Sequence, residues 1–104
     1  DAVIACSINS GAVELYAGRQ TVRPGGLLMP GRTWTDAEWL TFVAALQARN
    51  RPVYLLLDSV EMDAPLAAAR RVFRVEAAGA ADVPYYFVGG GSINRRVELF
   101  RLLP

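Results

Sequence analysis

Two apolar runs bounded by turn signals constrain this chain more than any other feature. Val53 to Leu57 lies between Asn50-Arg51-Pro52 and Asp58-Ser59, and Ala2 to Ile8 is a second run, rich in β-branched residues, with polar residues only at its end. Neither alternates apolar with polar. That is the pattern of strands buried on both faces, as in a sheet covered by helices. With 104 residues the chain is one domain's worth, able to bury roughly two thirds of its unfolded surface.

The segments around these runs alternate between strand and helix signals. Asn9-Ser10-Gly11 is a turn able to cap a helix, Ala12 to Ala17 reads as a short helix with Val13 and Tyr16 on one face, and Gly18 stops it. Gln20 to Arg23 reads as a short strand ended by Pro24-Gly25-Gly26. The clearest helix follows: Thr35 and Glu38 make a capping box, Trp39, Phe42, Val43 and Leu46 recur at helical spacing, and Arg49 reads as part of the last turn, where a cation suits the helix dipole. After Val53–Leu57, the central strand, Asp58 is placed to cap the next element, with Glu61 three residues on. Pro65 suits the first turn of a helix through about Arg71.

The C-terminal third reads as strands: Val72 to Ala77, a turn over Gly79 to Pro84, Tyr85 to Val88, a glycine-rich hairpin loop over 89–94, and an edge strand from Arg96 to Leu102. This order predicts an α/β fold. The expected form is a three-layer sandwich, with a mostly parallel, Rossmann-like sheet and an antiparallel C-terminal edge hairpin.

Composition removes several classes of function. An apolar share of 53% against 20% charged residues belongs to a globular chain, and a net charge of +1 supplies no strong field toward nucleic acid or an anionic membrane. No His is present, which removes the commonest general base and metal ligand. All eleven basic residues are Arg, read first as the mark of a GC-rich genome. Cys6, the single cysteine, sits in an apolar run and reads as a buried thiol. No metal or cofactor motif is present.

In open α/β sheets ligands collect beyond the carboxyl ends of the strands. Two polar clusters fall there: Ser7, Asn9, Ser10 and Gly11 after the first strand, and Asp58, Ser59 and Glu61 after the central one. The first reads either as a helix cap or as an anion site made of backbone N–H groups, though it lacks the spacing of known phosphate loops. The second reads as capping carboxylates, as an acid/base pair or as ligands for a divalent cation. Gly89 to Ser92 joins two strands and lacks the helix N-terminus of a phosphate loop. Arg70-Arg71 and Arg95-Arg96 read as solvated, and Tyr85-Tyr86-Phe87 as core and sheet surface. The apolar tripeptide Leu27-Leu28-Met29, between two glycine/proline turns, either folds back on the core or docks on another body.

Several of these segments together carry a resemblance. Asp1 to Ala5, Ser10-Gly11, Tyr16-Ala17-Gly18-Arg19, Val22-Arg23, Arg51-Pro52-Val53-Tyr54, Leu57-Asp58 and Glu61 resemble, in this order, the soluble C-terminal tail of bacterial membrane glycosyltransferases of the GT-C class, similar to dolichyl-phosphate-mannose–protein mannosyltransferases. The likeness covers most of residues 1 to 75 and fades after that. The family often places an aromatic between the Asp and the Glu, where this chain has Ser59 and Val60.

The resemblance implies a multi-pass parent that moves a sugar from a polyprenyl-phosphate donor, with its catalytic carboxylate in the membrane-embedded part. The tail would face the extracytoplasmic side, pack on the transmembrane portion of its own chain, position the acceptor substrate or bind partners, and use Leu27-Leu28-Met29 at the membrane face. A chain that opens on Asp1, directly before a strand, reads as a piece of such a parent. The alternative is a small Rossmann-like module holding a phosphate or sugar with Ser7, Ser10 and Gly11. A stand-alone enzyme using Asp58 and Glu61 is a third reading.

Overall fold

The computed structural model describes residues 2–7, 18–24, 34–86 and 89–104. Three short strands, β1 (Val3–Ala5), β2 (Gln20–Val22) and β3 (Val53–Leu57), are followed by a long hairpin of β4 (Arg74–Tyr86) and β5 (Ser92–Leu103). They form one mixed sheet in the order β2-β1-β3-β5-β4. β1 is parallel to β2 and β3, whereas β5 runs antiparallel to both β3 and β4. Helix α1 (Asp36–Ala48) leads into β3. A single 3₁₀ turn (Val60–Met62) and helix α2 (Asp63–Val72) carry the chain from β3 to β4.

Helix α1 is delimited by its own side chains and backbone. Thr35 Oγ1 accepts from the Glu38 N–H and Glu38 Oε1 accepts from the Thr35 N–H, both at 3.1 Å, so two otherwise orphaned donors are satisfied. At the other end Asn50 takes a left-handed φ of 57°. The Asn50 N–H then donates to Gln47 O and the Arg51 N–H to Leu46 O, each at 3.0 Å, which is the Schellman arrangement. In α2, Asp63 lies in the first turn and Arg70 and Arg71 in the last, the polarity that suits the helix dipole.

The core follows from register. Val3, Val53 and Leu102 stand side by side across β1, β3 and β5, and Ala5, Leu55 and Phe100 form the next row. All six are buried. Trp39, Val43 and Leu46 of α1, Met62, and Leu66, Ala68 and Ala69 of α2 close over them in one cluster. Trp39 Nε1 donates to the Pro65 carbonyl at 2.9 Å in a buried setting, which ties the two helices together and leaves the indole N–H satisfied.

The structure corrects the sequence-based fold in several places. The sheet is mixed, and most of its paired residues lie in antiparallel ladders, so it is not a mostly parallel Rossmann-like sheet. β5 is not the edge: it lies between β3 and β4. From Val97 onward it has apolar residues on both faces, with Val97, Phe100 and Leu102 buried, and such a strand belongs inside a sheet. The turn expected over Gly79 to Pro84 is instead the middle of β4, where Ala78 is an extra residue bulged between Ala77 and Gly79. Pro84 is tolerated there because β4 is the edge strand. Both described helices pack into the single core. The third helix expected, over residues 12–17, lies outside the described residues.

Two substitutions test this packing by urea unfolding. Trp39→Phe should cost about 1–2 kcal/mol by leaving the Pro65 carbonyl without its indole donor, and Trp39→Ala about 3–5 kcal/mol. Asn50→Gly should leave stability unchanged or slightly raised, whereas Asn50→Val should lower it by about 1–2 kcal/mol, because a β-branched residue resists positive φ.

Candidate functional site

The parallel strands β2, β1 and β3 end on a common rim, and the polar residues that follow them meet there. The Cys6 N–H donates to Val22 O at 3.0 Å, which extends the β1–β2 pairing by one step and fixes where Ser7 stands. The Ser7 N–H then donates to both carboxylate oxygens of Asp58, at 2.9 Å to Oδ1 and 3.1 Å to Oδ2. Ser7 is 1% and Asp58 2% exposed, so this is a buried, charge-assisted bond between residues 51 positions apart. It joins the end of β1 to the end of β3.

A second link joins β2 to the 3₁₀ turn. Arg23 donates from Nε at 2.9 Å and from Nη2 at 2.6 Å to the same oxygen, Oε1 of Glu61. Both side chains are largely covered. Because the guanidinium grips one oxygen rather than both, Glu61 Oε2 is buried without a partner among the described residues, as are Ser7 Oγ and Ser59 Oγ. A buried oxygen with no partner forfeits hydration without recompense, and this rim holds three of them.

Strand ends put Ser7, Asp58 and Glu61 on one rim if β1 and β3 are neighbours, and the structure makes them neighbours. It corrects their capping role. Asp58 is not at an N-cap position of the elements that follow β3, and its carboxylate holds the Ser7 N–H. Ser59, not Asp58, occupies the N-cap position of the 3₁₀ turn and makes no side-chain cap bond. Glu61 is the partner of Arg23. Asn9, Ser10 and Gly11, and the expected docking residues Leu27, Leu28 and Met29, lie outside the described residues. The residue that site selection passed over is Arg23. Its signal was position: an arginine one residue past a short strand, at the end of the sheet where two carboxylates also fall.

The chemistry open to this rim is narrow. Among the described residues one guanidinium stands against two carboxylates, a local charge that disfavours a phosphate. Ser7 and Ser59 lack any His or Lys to activate them. Among the described residues no three His, Cys, Asp or Glu side chains gather where they could hold a metal ion. Two open cavities lie elsewhere. One of about 660 Å³ is lined by Trp34, Ala37, Glu38, Thr41 and Phe42, and one of about 560 Å³ includes Ile4, Tyr54 and Leu99. Neither is lined by a rim residue.

Comparisons with protein-family models, with curated proteins and with solved structures find nothing that matches this chain.

The rim's links are measurable as stability. Asp58→Ala should cost about 2–3 kcal/mol by orphaning the buried Ser7 N–H, and Asp58→Asn less, since one acceptor oxygen is kept. Arg23→Met should cost about 1–3 kcal/mol by leaving Glu61 covered and uncompensated. Arg23→Met combined with Glu61→Leu should cost less than the two single changes together, which a double-mutant cycle reads directly.

Proposed function

We propose that this chain is a non-catalytic accessory domain of a multi-pass membrane glycosyltransferase that uses a polyprenyl-phosphate-linked sugar donor. It docks on the transmembrane part of its own parent and helps to position the acceptor at the extracytoplasmic face. The observation that supports this reading is the use to which the motif residues are put. Arg23, Asp58 and Glu61, three of the residues through which the chain resembles such tails, are engaged within the domain: Arg23 with Glu61, and Asp58 with the Ser7 N–H. A motif whose charged groups hold strand ends together is a motif for shape. On this reading the bond-making carboxylate lies in the membrane-embedded part of the parent.

No helix among the described residues is long and apolar enough to cross a membrane. The reading therefore requires the spans elsewhere in the parent. The reading frame upstream of Asp1 should encode several apolar segments of about twenty residues each. A start codon close to Asp1, with no such segments before it, defeats the proposal.

One observation favours a second reading. Ser7 Oγ, Ser59 Oγ and Glu61 Oε2 are buried polar atoms without partners, and a ligand that donates hydrogen bonds would satisfy all three. The surplus of carboxylates favours a neutral polyhydroxyl compound such as a sugar over a sugar phosphate. A sugar present far above its Kd should raise the thermal midpoint by several degrees, with a smaller shift for the phosphorylated form. A flat response across neutral sugars and sugar phosphates removes this reading and leaves the first standing.

A further inference from the structure

Alternation gives the sheet a second face, turned away from α1 and α2. Ile4 lies between the core residues Val3 and Ala5, Tyr54 between Val53 and Leu55, and Leu99 and Arg101 on either side of Phe100, so their side chains point to the opposite side. Register sets Ile4 beside Tyr54 and Leu99 beside Leu56. These four are half-buried.

The open cavity of about 560 Å³ lies on this face. Ile4, Tyr54 and Leu99 line it together with Ala2, Pro52 and Ala78, and Arg19 is the one charged residue among its described lining. Ala2, Arg19 and Pro52 each stand one residue before β1, β2 and β3 respectively. The cavity therefore sits toward the end of the sheet away from the rim, and what it binds is independent of what the rim holds.

Its size, and its apolar and aromatic walls with few polar groups, are those of a small-molecule site. The polar groups say which molecule. Arg19 is exposed and makes no ion pair with a described residue. Its guanidinium offers a fork of N–H donors that matches a carboxylate or a phosphate. Among the described lining no carboxylate neutralises it. Arg101 differs: it stands over the Tyr54 ring, 6.0 Å from its centre, and faces Glu76 across the β4–β5 ladder. Its charge is engaged within the fold, so the charge that meets a ligand is that of Arg19.

We propose that this cavity binds a small amphiphilic anion: an apolar chain or ring lies against Ile4, Tyr54 and Leu99, and a carboxylate or phosphate head meets Arg19. The two parts act differently. An exposed guanidinium–anion contact adds little affinity by itself, so the apolar body supplies the binding and Arg19 selects the sign of the charge. A neutral apolar molecule gains the first part alone, and a cation meets the like charge of Arg19.

Titrations of the 104-residue chain, followed by amide ¹H–¹⁵N spectra, test it with octanoate, octyl phosphate, octan-1-ol, octylammonium and acetate below micellar concentrations. Both octyl anions should shift the amides of Ile4, Tyr54 and Leu99 and bind about threefold or more tightly than octan-1-ol, a preference that shrinks as salt rises. Octylammonium should bind more weakly than the alcohol, and acetate should leave the spectrum unchanged. The tighter of the two anions identifies the head group. Arg19→Gln should bring octanoate down to the level of octan-1-ol, and Ala78→Trp, which fills the cavity, should weaken both, each with the wild-type urea midpoint. Arg96→Gln, an exposed arginine toward the other end of β5, should bind like wild type. Octan-1-ol binding as tightly as the anions, an Arg19→Gln variant that keeps the preference, shifts centred on the rim or on α1, or no binding by any probe overturns the inference.

Discussion

The fold depends on one strand serving two ladders of opposite sense. β3 is parallel to β1 on one side and antiparallel to β5 on the other. Each core row passes through it: Val53 between Val3 and Leu102, Leu55 between Ala5 and Phe100. A strand so placed has no edge to spare, and its side chains divide between the buried core positions Val53 and Leu55 and the half-buried Tyr54, Leu56 and Leu57. The helices are set by the same strand. α1 ends in a Schellman turn that leads into β3, and the 3₁₀ turn that begins α2 follows Asp58 and Ser59 directly. The buried Asp58 carboxylate then fixes the far end of β1 against β3 without help from a third strand.

What could be read from the residues was whatever local chemistry decides. The capping box at Thr35 and Glu38, the buried stripe of Trp39, Val43 and Leu46, and the strand at Val53–Leu57 each declare themselves within a few positions, and each is present. The errors came where pairing at a distance decides. Gly79 and Pro84 are turn residues in isolation, but within β4 a bulge and a free edge absorb them. The order of the last two strands was likewise illegible. Two strands joined by a hairpin can add to a sheet with either one inward, and only the apolar match between Phe100 and Leu102 of β5 and the row already formed by β3 puts β5 inside. At the rim the same division holds. That Ser7, Asp58 and Glu61 fall together follows from strand ends once β1 and β3 are neighbours, whereas their bonds do not. Asp58 had a local use as a helix cap and took a non-local one, because the Ser7 N–H at the end of β1 is buried and requires an acceptor.

The rim shows how far its charged groups could be spared for chemistry. Asp58 accepts a main-chain N–H through both oxygens, and Arg23 spends two donors on one oxygen of Glu61. To act on a substrate either group would first have to give up a bond that holds strand ends in place. Among the described residues, the buried rim atoms without a partner are the two serine hydroxyls and the second Glu61 oxygen, which can orient a bound molecule. A positioning role is compatible with that inventory.

The direction of β5 gives this positioning a geometry. Because β5 is antiparallel to β3 and meets Leu57 at Glu98, its unpaired portion runs past the C-terminal end of β3. The far end of the β4–β5 hairpin therefore projects from the same end of the sheet as Ser7, Arg23, Asp58 and Glu61. The mixed sheet is what permits it, since in a wholly parallel sheet a strand in the β5 position would reach the rim only at its own C-terminal end and could not be the returning arm of a hairpin.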